Sequence, residues 1–248
     1  MSPSMISASP GPLINNSPDN NARGPASETW ALTESGGRLG LVDRSRPGMS
    51  PVTIEFPAFL TSARGRSELA SLPLVRAMGK RANQVIDATA GMGQDSFALA
   101  VFGYSVIAFE RSEKIAALLD DASRRVHADN ELHALLGDRL RFIHADAIYE
   151  LKHLQQKPDV VYLDPMYPPR RKKSALAKKE MQLLRTLVGD DGDSLQLFTA
   201  ARKIAGDRVV VKRPIYAEPI AGAPSMSYES KLVRFDVYLS HAPSPEGS

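Results

Sequence analysis

From Val85 onward the chain repeats one rhythm, a short apolar run followed by a stretch with helical spacing. Val85–Ala88, Val106–Phe109, Leu140–His144, Val160–Leu163 and Arg208–Lys212 are the apolar runs and predict five strands. Helices are predicted over about Gln94–Phe102, Glu113–Ala128 and Asn130–Leu136. In the second of these, Ile115, Leu118, Leu119 and Ala122 recur at three-to-four spacing. Strands that are apolar throughout rather than alternating belong to a parallel sheet covered on both faces, so the pattern predicts a doubly wound α/β domain. The last run differs. Val233, Phe235, Val237 and Leu239 alternate with Arg234, Asp236 and Tyr238, as a half-exposed strand near a sheet edge would, and it is expected to run antiparallel.

Before Val85 the pattern weakens. Residues 1–27 are rich in Ser, Pro, Asn and Gly, have no sustained period and are expected to be a mobile tail. Residues 28–80 predict a small N-terminal subdomain, with a short strand at Val52, Ile54 and Phe56 and a helix around Leu69–Met78. Residues 81–241 then form the main domain. The segment from Tyr216 to Tyr228 is rich in Pro, Ala and Ser and hides any strand it contains.

Composition narrows the chemistry. With no cysteine, disulfides, thiolate nucleophiles and Cys-ligated zinc are excluded. His127, His133 and His153 have no metal-ligand spacing, and no metal is expected. No run approaches the roughly 20 apolar residues of a membrane span, and Met1–Met5 does not open a signal peptide, so a cytoplasmic enzyme is expected. The net charge of +3 is too small to point to nucleic acid by itself.

In a doubly wound sheet ligands bind beyond the carboxyl ends of the strands. Asp87 ends the first strand, Glu110 the second, Asp146 follows the third, and Asp164 ends the fourth. Gly91 and Gly93 supply a tight loop after the first strand, with Gln94 and Asp95 opening the next helix. The dinucleotide fingerprint requires a third glycine, which is missing, and pyrophosphate at the helix N-terminus, where Asp95 stands. The loop therefore suits a phosphate-free cofactor with a cationic end, such as S-adenosylmethionine. Glu110, 23 positions after Asp87, is placed to accept ribose hydroxyls, and Asp146 to accept the adenine amine. Asp87 either touches the methionine end or braces the loop.

Asp164–Pro165–Met166–Tyr167–Pro168 closes the fourth strand with an acid, a rigid turn and an aromatic. Asp164 and the Pro165 carbonyl can accept hydrogen bonds from an exocyclic base amine, and Tyr167 can stack on a flipped base. The pattern points to an N-methyltransferase acting on a nucleobase, without choosing the base. Arg170, Arg171, Lys172 and Lys173 follow at once and are expected to contact RNA phosphates. Lys212 and Arg213, at the end of the fifth strand, are expected to be exposed on the same side with the same role, because such charges are costly to bury. Rival readings are a DNA adenine or cytosine N-methyltransferase, an NAD-dependent oxidoreductase and a non-catalytic RNA-binding protein.

The strings DATAGMG, VVYLDPMYP, KKSALAKKEM, RVVVKRP and RFDVYL, in this order between about Arg66 and Leu239, resemble the bacterial 16S ribosomal RNA guanine-N2 methyltransferase family. The resemblance implies a class I, Rossmann-like fold and methyl transfer from S-adenosylmethionine to the 2-amino group of guanosine 1516 of 16S rRNA, presented naked or in the small subunit. It also implies cofactor contacts at Gln94, Asp95, Glu110, Arg111, Asp146, Ala147 and Asp164. Two departures stand out. The family commonly has two serines where this chain has Asp146–Ala147, and a glycine-rich run before Arg-Gly-Glu where this chain has Ser62–Ala63–Arg64–Gly65–Arg66–Ser67–Glu68. The first 50 residues lie outside the resemblance, and oligomeric state is not indicated.

Overall fold

A computed structural model of the protein describes residues 29–166 and 192–240. The tail expected over residues 1–27 lies outside them. The described residues open with an antiparallel hairpin, β1 (Trp30–Ser35) and β2 (Arg38–Asp43), that the sequence reading did not anticipate. Its turn is Gly36–Gly37, both at positive φ (60° and 72°), the backbone that two-residue hairpin loops require. The strand expected at Val52–Phe56 reduces to a single bridge between Val52 and Leu41. Pro51 and Pro57 flank it and bring no N–H, so the pairing cannot lengthen.

The single helix expected around Leu69–Met78 is two. A 3-10 turn (Ala58–Thr61) leads to α1 (Ala63–Ser71), whose Ser62 Oγ caps Gly65 N at 3.0 Å. Leu72 is extended, and α2 (Pro73–Met78) restarts on Pro73, which fits only a first turn because it lacks an N–H and clashes with a preceding one.

The main sheet contains β3 (Gln84–Asp87), β4 (Ser105–Glu110), β5 (Leu140–His144), β6 (Val160–Leu163), β7 (Arg208–Pro214), β8 (Met226–Glu229) and β9 (Val233–Leu239). Their order is β5-β4-β3-β6-β7-β9-β8. The first five are mutually parallel, and β9 enters antiparallel between β7 and β8. This is the class I methyltransferase topology. Between strands run α3 (Gln94–Phe102), α4 (Glu113–Ala128), α5 (Asn130–Leu136), α6 (Ala147–His153) and, before β7, α7 (Ser194–Ile204).

Alternation along each strand sorts the core into two layers. Val85, Val160, Tyr162 and Val210 pack with α2 and α3. Ile86, Val161, Leu163, Val209 and Val211 pack with α6 and α7. A third cluster seats the hairpin on α4, joining Trp30, Leu41 and Ile54 to Ile115, Leu118 and Leu119. β9 is less exposed than its alternation suggests. Phe235 to Tyr238 are all buried, because β8 covers its outer edge and helices cover both faces. Asp236 is fully buried there and held by Arg234 at 2.8 Å and Ser227 at 2.7 Å.

Candidate active site

The strand order reverses beside β3. One branch of the chain runs outward through β4 and β5, the other through β6 and β7. A crevice opens at such a switch point, beyond the carboxyl ends of the strands. Here it is a cavity of about 500 Å³, within the size range of small-molecule sites.

The loop from Asp87 to Gly93 forms one wall. Asp87, 1% exposed, accepts from Thr89 N (3.0 Å) and Ser96 Oγ (2.5 Å). Burial pushes its carboxyl up to about 7, although those hydrogen bonds oppose the rise. It thus fastens the loop to the first turn of α3. Counting the dinucleotide fingerprint from Gly91 puts Ser96 at the third glycine, so the position that would pack glycine against the strand carries this hydroxyl instead.

Gly91, at φ 53°, donates its N–H to Glu110 Oε2 at 2.9 Å. Gly93 serves packing. It caps α3 at φ 73°, and a Cβ there would stand 2.8 Å from Leu119 and 2.9 Å from Phe142, outside the cavity lining. The paired glycines therefore divide their work, one lining the cavity and one letting the start of α3 close on Leu119 and Phe142.

Glu110 ends β4 and is 5% exposed. Its other oxygen accepts from Ser112 N at 2.7 Å, and burial raises its carboxyl to about 7. Arg111 bridges to Asp193 before α7 at 3.0 Å. Asp146 Oδ1 caps α6 by accepting from Ile148 N and Tyr149 N (2.8 and 3.1 Å), with Ala147 buried beside it. Gln94 ties the cavity rim to the N-terminal segment by donating to the Glu55 carbonyl at 3.0 Å. Glu110, Arg111, Asp146, Ala147, Gln94 and Asp193 all line the cavity.

The far wall is built by β6 and β7. Asp164 N donates to Thr89 Oγ1 at 2.6 Å, joining the end of β6 to the β3 loop. Pro165 and Met166 continue the wall. Lys212 and Arg213, expected on an exposed phosphate-binding surface, are placed otherwise. Lys212 Nζ lies between Asp95 Oδ2 (2.8 Å) and Asp164 Oδ2 (2.9 Å), with its side chain 25% exposed. Arg213 is buried and donates twice to the Glu218 carbonyl, at 2.7 and 3.1 Å. The reason is that β7 is an inner strand flanked by β6 and β9, so its residues face covered layers.

Burial works to lower the Lys212 pKa, but Asp164 and Asp95 outweigh it and hold the ammonium charged well above its ordinary range. Tyr162 completes the group by donating to Asp95 Oδ2 at 2.6 Å, and its own ionisation is pushed well up by burial and then by the surrounding carboxylates. The sequence reading missed Tyr162, Thr89 and Ser96. The one signal it held was a tyrosine inside an otherwise aliphatic strand. Tyr167, Arg170, Arg171, Lys172 and Lys173 lie outside the described residues.

The donor set discriminates between ligands. Carboxylates at Asp87, Glu110, Asp146 and Asp164 line the cavity, and Asp95 occupies the first turn of α3. A pyrophosphate would meet that charge directly, whereas a cationic, phosphate-free adenosyl group fits it. Among the described residues no cluster of three or more His, Asp or Glu side chains is arranged to hold a metal, and no helix is long and apolar enough to cross a membrane.

Comparison with known proteins agrees with this geometry. The family model described as "Putative SAM-dependent methyltransferase" matches residues 21–240. Ribosomal RNA small subunit methyltransferase J of Yersinia pestis (strain Pestoides F) is 42% identical over 224 residues, covering 87% of this chain and 86% of the relative. The protein of the same name from Yersinia enterocolitica is 43% identical over 218 residues, 84% of each chain. The crystal structure of a SAM-dependent methyltransferase from Neisseria gonorrhoeae superposes with a TM-score of 0.66 at 33% identity, covering 86% of this chain and 84% of that one.

Proposed function

The chain belongs to this family of SAM-dependent methyltransferases, and from that premise we propose that it methylates 16S rRNA at the exocyclic N2 amine of guanosine 1516. The observation that carries the reading is the position of Asp164. It closes β6 at the cavity, beside Pro165 and within reach of the acid-lined pocket. The relatives that share 42–43% of the sequence are small-subunit rRNA methyltransferases by name, and the N2 position and the nucleotide follow from the family resemblance.

S-adenosylmethionine, when bound, supplies an electrophilic methyl group on a sulfonium. Glu110 would hold its ribose hydroxyls, Asp146 its adenine amine, and the Asp87–Gly91 loop with Gln94 and Asp95 the amino-acid end. Asp164 and the Pro165 carbonyl would accept the two N–H groups of the target amine and aim its lone pair along the cavity. An exocyclic amine is a poor nucleophile because its lone pair is delocalised into the ring. Positive charge grows on that nitrogen as the new bond forms, so the carboxylate stabilises the transition state more than the ground state. Asp164 need not be a strong base, since the methylated amine loses its proton readily to the carboxylate or to water. Ala88, Phe109, Ile148 and Leu197 give the cavity an apolar lining that limits water.

Tyr167 is proposed as the stacking platform for the flipped base, and Arg170, Arg171, Lys172 and Lys173 as its phosphate contacts. Lys212 and Arg213, bonded within the cavity wall, are not proposed as phosphate contacts. An rRNA substrate places the enzyme in the cytoplasm.

The test is methyl transfer from labelled S-adenosylmethionine to unmodified small-subunit rRNA, naked and assembled, followed by nuclease mapping. The expected result is N2-methylguanosine at one site. No label on either form, with cofactor binding intact, would overturn the substrate assignment.

A further inference from the structure

Lys212 has a role that the methyltransferase reading does not require in advance. In the β6–β7 register, Tyr162 pairs with Val210 and Leu163 with Val211, so Lys212 stands level with Asp164. Alternation puts Lys212 on the same face as Val210 and Tyr162, the face toward α3, where Asp95 lies in the first turn. One ammonium therefore meets two carboxylates from different elements, at 2.8 and 2.9 Å.

The other neighbours leave this arrangement to Lys212. From β6, Tyr162 donates to Asp95 and stays neutral. From β3, Asp87 adds a further acid near both aspartates. From β9, Phe235 pairs with Lys212 in register, while Arg234 and Asp236 bond to each other. Among the described residues, Lys212 is the cation that bonds both Asp95 and Asp164. Without it, three carboxyl groups would crowd a partly desolvated corner, and like charges that close cannot all remain ionised.

We propose that Lys212 is a positioning residue for methyl transfer, its ammonium holding Asp164 in the ionised form and fixed orientation that the target amine requires. Asp95 is the second arm of the clamp. It keeps the group at net negative charge, so Lys212 fixes Asp164 without cancelling the field that favours a developing cation. The inference rests on the methyltransferase reading for its consequence, but not for its electrostatics.

The test compares Lys212→Met, Lys212→Gln and Lys212→Arg with the wild type, in the full-length protein. Three quantities are read: turnover against pH, S-adenosylmethionine affinity by calorimetry, and the titration of the Asp164 ¹³C carboxyl resonance, assigned by its loss in Asp164→Asn. Loss of the ammonium should lower turnover about 10²-fold at neutral pH, with cofactor affinity within a few-fold. Turnover should then climb with pH across a range where the wild type and Lys212→Arg are level. The Asp164 carboxyl should titrate at least about one unit higher in the Met and Gln variants. Lys212→Gln, which keeps a hydrogen-bonding side chain, carries the comparison if Lys212→Met does not fold. Turnover within about threefold of wild type, or an Asp164 titration that does not move, overturns the proposal. The carboxyl titration needs no RNA. An enzyme that labels no rRNA would refute the substrate reading, while the titration still decides the role of Lys212.

Discussion

The two ends of the same strands use charge in opposite ways. At the amino ends of β3, β6 and β7, Asp159 Oδ2 accepts from Asn83 N and Gln84 N (2.8 and 2.9 Å), and the Asp159 carbonyl accepts from Asp207 N and Arg208 N. Arg208 bonds Asp207 at 2.7 Å and reaches the Ala77 carbonyl at 3.3 Å. Lys80 and Arg81 share a hollow of about 420 Å³ with them. At the carboxyl ends, Asp164 and Asp95 bond a lysine that comes from another strand, and their remaining surface faces the larger cavity. Both ends are rich in charge and both have a depression. What separates Asp159 from Asp95 and Asp164 is the bonding partner. Asp159 ties strand backbones to one another and builds stability, whereas Asp95 and Asp164 are held by side chains beside a cavity that can take a ligand.

That contrast can be broken or sharpened by substitution. The largest effect is expected from Asp164→Ala, which should lower turnover by about 10²–10³-fold while RNA and cofactor affinity stay within a few-fold. Single-turnover rates and filter binding measure both. Glu110→Gln should come next, weakening S-adenosylmethionine by about tenfold in calorimetry, because a charged acceptor is exchanged for a neutral one.

The third effect is smaller and depends on pH. Asp87 and Glu110 both have carboxyls raised to about 7 by burial. A carboxyl raised above its unfolded value of about 4 keeps its proton in the folded state, so its contribution to stability is greatest at low pH and falls as pH rises through about 7. The cofactor-free protein should therefore lose Tm between pH 6 and pH 8. A cationic cofactor with donating hydroxyls favours the ionised forms, so its affinity should rise over the same interval, by up to about tenfold per group, with protons released on binding. Calorimetry in buffers of different ionisation enthalpy reads that release. A flat affinity and no proton release would show that neither acid changes its charge state on binding.

Asp159→Ala is expected to act on stability alone. Losing the side-chain acceptor of two backbone N–H groups should cost about 1–3 kcal/mol, visible as a Tm lower by several degrees, with turnover unchanged. A fall in turnover as large as that of Asp164→Ala would erase the distinction between the two ends.

Much of the sheet was legible because a parallel strand covered on both faces must be apolar for its whole length. Val160–Leu163 is such a strand and stands where its apolar run placed it, while the edge strand Leu140–His144 and the antiparallel Val233–Leu239 keep their expected bounds on mixed and alternating patterns. The hairpin and β8 were not, although Gly36–Gly37 was a usable signal for the former. β8 is four residues in a polar segment, only one of them even partly buried, and takes its place from pairing with β9. The acids at the strand ends were legible as a set, since a polar residue that stops an apolar run marks where the strand leaves the core. Their individual bonds were not, and Asp146 shows why. The same residue that reads as a ligand contact also caps α6, and one carboxylate has oxygens enough for both.

The sequence by itself determined the alternation of strands and helices, the glycine turn and the row of acids at the strand ends, because these follow from local periodicity and backbone conformation. Tertiary structure decided which charges meet. Lys212 is 117 residues from Asp95 and 48 from Asp164, and no local pattern relates them. Only when β7 is laid beside β6, with the first turn of α3 against their shared face, does that lysine meet both carboxylates. An ammonium placed there is held between two carboxylates, which compensate it for the water it has lost.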